Sequence, residues 1–233
     1  RWDPFEHNSN AWFDSEWMFG VEDFDIVIAN PPWVFTREAK FNKEFKVYIQ
    51  EKYIKKLVSS QKGHAKQTGK INLFAIFILA SLDYLKPQGN LVFILPNTLL
   101  RATVYDGVRK YLIDRTSIKQ IADLSTGRFT GVTASTAIII LENSKKPENN
   151  LVKIIADFDE IDDTVSKTID QDLFNENVSY TFNIFSDDKT DDLIKKMNDG
   201  SNRLDNYVSI LAGGIATGPG KSNYIEKSKL KES

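Results

Sequence analysis

The sequence predicts an α/β domain built on a largely parallel sheet. Short β-branched apolar runs alternate with longer stretches of helical spacing, the pattern of strands joined by crossover helices. Each run is closed by a Pro, Gly or Asn signal, as in "IANPP", "KPQGN" and "LPN". The last two runs follow each other with no room for a helix between them, which makes them antiparallel neighbours at one edge.

The first element is "FDIVIA", residues 24–29, whose Ile26, Val27 and Ile28 read as a buried strand. A polar, mostly helical insertion over 42–60 follows, and its loop "SSQKGHAKQTGK" carries two glycines. Residues 72–85 have helical spacing, with "KPQGN" as the stop. Residues 91–95 form the next buried strand, ended by Pro96, and residues 105–113 a helix. Residues 118–124 and 137–141 are the final two strands. Further on, "KKPENN" reads as a loop and "DDKTDDLIKKMNDG" as an amphipathic helix stopped by Gly200. No internal repeat is visible.

Composition excludes several chemistries. The 233 residues include no cysteine, so disulfides, thiolate zinc sites and thiol nucleophiles are all absent, in keeping with a reducing cytoplasm. Two histidines, His7 and His64, are too few for a His-built metal site or triad, and no metal is expected. The longest apolar run, "INLFAIFILASL", is too short to span a bilayer, and no membrane partner is expected. The chain opens "RWDPFEHNSN" and reads as part of a longer protein. Net charge is −2 but unevenly spread. Residues 36–70 hold ten Lys/Arg against three Asp/Glu, whereas residues 143–200 hold seven against fourteen. The basic stretch is either a phosphate-facing element or a solvated lysine-rich helix.

In sheets of this kind ligands bind at the carboxyl ends of strands. Asn30-Pro31-Pro32-Trp33, Pro96-Asn97 and "STGRFTGV" (residues 125–132) would converge there. The first is the most informative. Two consecutive prolines fix φ, force the preceding residue extended and remove two N–H donors. What remains is a rigid corner of acceptors, the Asn30 side-chain oxygen and backbone carbonyls, beside an aromatic face. That suits a flat amino-bearing group, whose nitrogen donates twice while its ring stacks on Trp33. An exocyclic adenine amine is a poor nucleophile, because its lone pair is delocalised. Two acceptors aimed at its hydrogens draw it toward tetrahedral geometry and stabilise the positive charge developing on attack, with no strong base required. The plainer reading is a strand-terminating Pro-Pro turn with a buried Trp.

"FDIVIANPPW" resembles the catalytic motif of S-adenosylmethionine-dependent N6-adenine DNA methyltransferases, in their Asn-Pro-Pro-aromatic form. "GKINLFAIFILASLDYLKPQGNLVFILPNTLL" is similar to their next block, and "GRFTGVTASTAIIIL" to their late loop and antiparallel edge strand. The order matches type II and type IIG restriction-modification enzymes. A weaker likeness, "ILAGGIATGPGKSNYI", resembles the entry to a target-recognition domain. The resemblance implies the C-terminal half of a Rossmann-like methyltransferase sheet over residues 1–142. It further implies an acidic connector over 143–202 and the start of a target-recognition domain over 203–233.

The same resemblance implies site roles. Asn30 and Pro31 accept hydrogen bonds from the adenine amino group, and Trp33 stacks on the flipped base. Phe129 packs against the base from its other side. Pro32 and Phe77 contact the adenine end of S-adenosylmethionine. Read without the resemblance, Phe77 is a core residue of an apolar helix. The partner implied is double-stranded DNA with one adenine turned out of the stack. The glycine-rich donor loop and ribose-gripping acid of such enzymes, expected N-terminal to the motif, have no counterpart here. "GGIATGPG" lies at the wrong end, and "GPGKS" lacks phosphate-loop spacing. The donor pocket is thus only partly encoded, and a sheet edge is expected to stand open. Rival readings are methylation of an RNA base or a protein glutamine, and a non-catalytic DNA-binding fragment. No nuclease motif is evident.

Overall fold

A computed structural model of the chain divides into two compact units, residues 1–185 and 186–233. It describes residues 15–57, 71–124, 135–155 and 167–185 of the first, and residues 189, 190, 193, 196, 197 and 199–202 of the second. In the second unit the described residues from 189 to 197 are helical and Gly200 takes φ +74°, as the expected helix stop requires.

The first unit begins with a short helix, α1 (Ser15–Phe19), and strand β1 (Phe24–Ala29). A helical run follows: α2 (Lys43–Ile49), a π-helical stretch (Gln50–Ile54) and α3 (Lys55–Leu57). Helix α4 (Leu73–Asp83) leads into strand β2 (Leu85–Pro96), then α5 (Thr98–Arg101) and α6 (Asp106–Arg115). Strands β3 (Ser117–Asp123), β4 (Thr136–Glu142), β5 (Leu151–Ile155) and β6 (Lys167–Asp170) complete the sheet, followed by α7 (Leu173–Glu176).

The six strands lie in the order β1-β2-β4-β3-β5-β6. The β1/β2 and β3/β5 pairs are parallel, and β2/β4, β3/β4 and β5/β6 are antiparallel. Four strands therefore run one way, and β4 and β6 run against them. The expected antiparallel pair is β3/β4, but β4 does not take the edge. It inserts between β2 and β3, where its Ala137, Ile139 and Leu141 are buried, and the antiparallel edge strand is β6. A strand this apolar on its core face gains more between two neighbours than beside one.

The core lies between one sheet face and the helices. Leu91, Phe93, Leu95, Ile121 and Ile139 meet Phe74, Ile78 and Leu79 of α4 and Val108 and Leu112 of α6 in one cluster. Helix α4 starts at Asn72, whose side chain accepts from the Phe74 N–H. β1 is not buried throughout, contrary to expectation. Val27 and Ala29 pack on the core, but Ile26 and Ile28 are 57% and 74% exposed. Strand side chains alternate in direction and β1 is the edge strand, so one half of its apolar set points outward. Ile28 is in register with Val92, and Val92 with Ile140, so an apolar row crosses this second face.

"KPQGN" is not a break between helix and strand but part of a 12-residue β2. Register jumps from Phe24↔Leu85 to Ile26↔Asn90, so residues 86–89 bulge against β1. Gln88 takes φ +67° and donates its N–H to Asn143, whose own N–H returns to Gly89. A Cβ on Gly89 would lie 2.9 Å from the Lys86 carbonyl and 3.1 Å from that of Asp25. Only glycine fits without moving backbone.

The sheet also continues past the expected domain boundary at 142. β5 and β6 are its fourth-neighbour and edge strands, and Phe174, Phe182 and Ile184 join the core cluster. Buried Gln171 pins this extension. Its Oε1 accepts from the Ile118 N–H (2.8 Å) and from Asn150 Nδ2 (2.7 Å), while its Nε2 donates to the carbonyls of Ile113 and Thr116. Acidic composition concealed this, because the few apolar residues of 143–185 carry the packing.

Candidate acceptor site at the sheet rim

β1 and β2 run together to one rim, with Ala29 opposite Phe93. At the same rim Pro96 faces Thr136, and Asp123 faces Ala137. The ends of β1, β2 and β3 and the start of β4 therefore lie on one side of the sheet, while residues 125–132, expected at the same rim, lie outside the described residues. The Asn97 N–H donates to the Ser135 carbonyl, which ties the end of β2 to the entry of β4, and the Leu124 N–H donates to Thr136 between the ends of β3 and β4, both at 2.9 Å.

Asn30 is the first residue beyond β1 and is exposed. Among the described residues no hydrogen bond engages its side chain, and none engages the Pro31 carbonyl. The acceptor corner is thus not consumed by the fold. Pro31 is buried and Pro32 exposed, so the rigid dipeptide is anchored at one residue and presented at the next. Trp33 is half-buried against the core cluster, and its Nε1 is buried with no hydrogen-bond partner among the described residues. Thr136 Oγ1, at the head of β4, is likewise buried and unpaired.

The chain leaving Trp33 is held by a short antiparallel bridge, Phe35↔Asn72. The Thr36 N–H donates to Ile71 (2.9 Å) and the Leu73 N–H to Val34 (2.8 Å). This bridge fixes the start of α4 beside the motif. Helical periodicity did not reveal it, because a single bridge leaves no repeating pattern; the Asn72 cap was its one sequence signal.

On α4, residues 73–76, 78, 79 and 82 are buried, whereas Phe77 is 42% exposed. The helix is apolar nearly all round, yet this one large ring is left at the surface. Phe77 is therefore not a buried core residue of α4, the reading its helix gave without the resemblance. Beneath, Phe74 packs on Tyr105 at 4.9 Å between ring centres, and burial pushes the Tyr105 hydroxyl up to about 12. The motif itself contains no titratable group. Phe129 lies outside the described residues, as does the loop that carries it.

The chain is similar to several known proteins. At 24% identity the chain matches the type II methyltransferase M.AccI of Acinetobacter calcoaceticus over 71% of its length and 29% of that protein's. At 26% identity it matches the type II restriction enzyme and methyltransferase RM.Eco57I of Escherichia coli, over 90% of this chain and 20% of that one. It is 29% identical to RM.MjaORFECS2P of Methanocaldococcus jannaschii over 70% of its length and 12% of that protein's. The chain thus spans less than a third of the length of each of these relatives. The solved type IIG restriction endonuclease BpuSI aligns over 68% of this chain and 20% of that one, at 14% identity and a TM-score of 0.48. The Eco57I restriction-modification methylase model matches residues 3–129, more than half of the sequence, and the chain belongs to that family.

Proposed function

We propose that this chain carries the amino-acceptor half of a methyl-transfer site acting on the N6 amino group of adenine in double-stranded DNA, within a restriction-modification system. The observation that carries this reading is the Asn30-Pro31-Pro32-Trp33 corner, held at the carboxyl rim of β1 with its acceptors uncommitted. Asn30 Oδ1 and the Pro31 carbonyl accept from the two amino hydrogens. They hold the nitrogen lone pair out of conjugation and stabilise the positive charge that grows on it. The adenine must leave its stack to reach them. Trp33 stacks on one face, and Phe129 closes on the other.

The donor of the proposal is S-adenosylmethionine, which supplies the methyl group. Pro32 is exposed and the Phe77 ring is 42% exposed, which leaves both apolar groups available to the flat adenine part of that ligand. A catalytic body, a connector and a target-recognition domain beginning within 203–233 remain the proposed organisation, with the body extended to Phe185. A reaction on cellular DNA places the protein in the cytoplasm.

The test is methyl transfer from labelled donor by the product of the full reading frame, offered duplex DNA, RNA and protein in parallel. Label in N6-methyladenine of DNA is the expected result. Label in RNA or protein alone, or in a different DNA base, would overturn the proposal.

A further inference from the structure

The helical insertion that follows the motif leaves the sheet rim after Thr36 and returns to it at Ile71, because the Phe35↔Asn72 bridge closes its neck. The insertion is therefore rooted a few residues beyond the acceptor corner. Its two halves differ. The π-helical stretch and α3 are docked: Tyr53, Ile54 and Leu57 are buried, and Lys52 pairs with Asp83 at the end of α4 (3.4 Å). In α2 every residue but Ile49 is exposed, including Phe45, Val47 and Tyr48. The π turn inserts an extra residue into the helical repeat, and such turns recur at functional sites. Here it lies between a buried stretch and an exposed one.

The charges do not divide at the π turn: Arg37, before α2, is paired, and Lys56, in the docked half, has no carboxylate partner among the described residues. Arg37 pairs with Glu38, Lys55 with Glu51 and Lys52 with Asp83. Lys40, Lys43 and Lys46 have no anionic partner among the described residues. Lys43 and Lys46 stand at i, i+3, where like charges repel. Beside them Phe45 and Tyr48 stack at 6.1 Å with ring planes 26° apart, and Phe41 meets Phe45 edge-on at 4.9 Å. Tyr48 also meets Tyr53 edge-on at 6.2 Å and lies under Lys52 Nζ at 5.6 Å, so the aromatic pair is partly covered, whereas adjacent unpaired lysines gain a helix nothing. A polyanion with flat sugar faces complements both.

We infer that α2 and the preceding Lys40 form a phosphate-contacting arm, which grips the DNA backbone beside the base presented to Asn30. The inference rests on the proposed DNA substrate and adds where the duplex is held. Lys40, Lys43 and Lys46 neutralise phosphates, and the Phe45–Tyr48 pair lies against the sugars between them. Contacts of this kind set register and affinity without reading sequence.

The test is binding of a mixed-sequence DNA duplex by the full-reading-frame product, followed by fluorescence anisotropy over a range of salt concentrations. The variant is Lys40→Gln/Lys43→Gln/Lys46→Gln. Lys145→Gln, beyond the far end of β4, is the control. Each lost phosphate contact lowers the slope of log affinity against log salt by about 0.9, so the triple variant should lose about 2.7 and the control nothing. Far-ultraviolet circular dichroism checks that both variants are folded. An unchanged slope in the folded triple variant would overturn the inference, and so would weaker binding at unchanged slope, which points to an apolar protein-like contact. A wild-type protein that binds duplex without methylating it would overturn the proposed reaction and leave the slope test intact. A wild-type protein that binds no duplex would overturn both.

Discussion

Arg109, in α6, is wholly buried, and replacing it with alanine tests how the rim is braced from behind. Its guanidinium donates to the carbonyls of Leu99 (2.7 Å), Ala102 (2.9 Å) and Tyr180 (3.0 Å), and twice to Ser179 (2.7 and 3.2 Å). Leu99 and Ala102 belong to the end of α5, where helix carbonyls lack internal partners. Ser179 and Tyr180 both take positive φ, near +56° and +55°, a conformation unfavourable by about 1 kcal/mol or more for each residue. One side chain therefore satisfies the helix following the β2 rim loop and holds a strained turn against it. Each hydrogen bond to a charged group contributes about 1.5–3 kcal/mol. The Ser179 and Tyr180 carbonyls lie on half-buried residues and would regain water on truncation, so the Leu99 and Ala102 bonds dominate. Burial also pushes the guanidinium down to about 10, against an opposing effect of Asp106, so removing the charge returns part of its desolvation cost. The net loss expected for Arg109→Ala is about 3 kcal/mol. For a unit of this size that is a fall of roughly 10 °C in Tm. Arg109→Lys should recover little, because a single ammonium cannot reach both sides of the fork. Urea unfolding measures the loss, and limited proteolysis within residues 178–185 locates it. Arg109→Ala within about 1 kcal/mol of wild type, or Arg109→Lys equal to it, would refute this account of the brace.

Four further outcomes follow from the same structure. Gly89→Ala should cost about 1–3 kcal/mol in chemical denaturation, since its Cβ meets two backbone carbonyls that cannot rotate away. Phe77→Ala should cost only about 1 kcal/mol, far below the ~3–5 kcal/mol of Phe74→Ala in the core, while weakening donor binding measured by calorimetry; equal stability losses would make Phe77 a core residue. Asn30→Ala should nearly abolish methyl transfer and spare donor binding, and retained turnover would remove Asn30 from its role. Trp33→Ala should lower the signal of a fluorescent base placed at the target position, and an unaltered signal would argue against stacking.

Much of the fold was legible in the chain because its strands are short, β-branched and punctuated. Phe24–Ala29 and the β3/β4 pair lie within a residue or so of where they were expected, and β2 ends as expected at Pro96 but begins at Leu85, six residues before the expected start. Position within the sheet was less legible. Nothing local distinguishes a strand inserted between two others from one at an edge, so β4 was misplaced. β5 and β6 were missed because acidic surface residues diluted their apolar ones. Arg109 gave no signal at all, because an arginine in a helix of mixed polarity reads as solvated.

The sequence by itself determined the chemistry on offer. Asn30-Pro31-Pro32-Trp33 after an apolar strand specifies a rigid acceptor corner whatever the rest of the fold does, because proline fixes its own dihedral and those of its predecessor. Tertiary structure alone decided which of these groups remain free. Exposure of Asn30 and Phe77, the open row of Ile26 and Ile28, and the split of the basic insertion into buried and exposed stretches depend on packing between distant segments. Those contacts are set by the neighbours each element meets in the sheet, which no local pattern encodes.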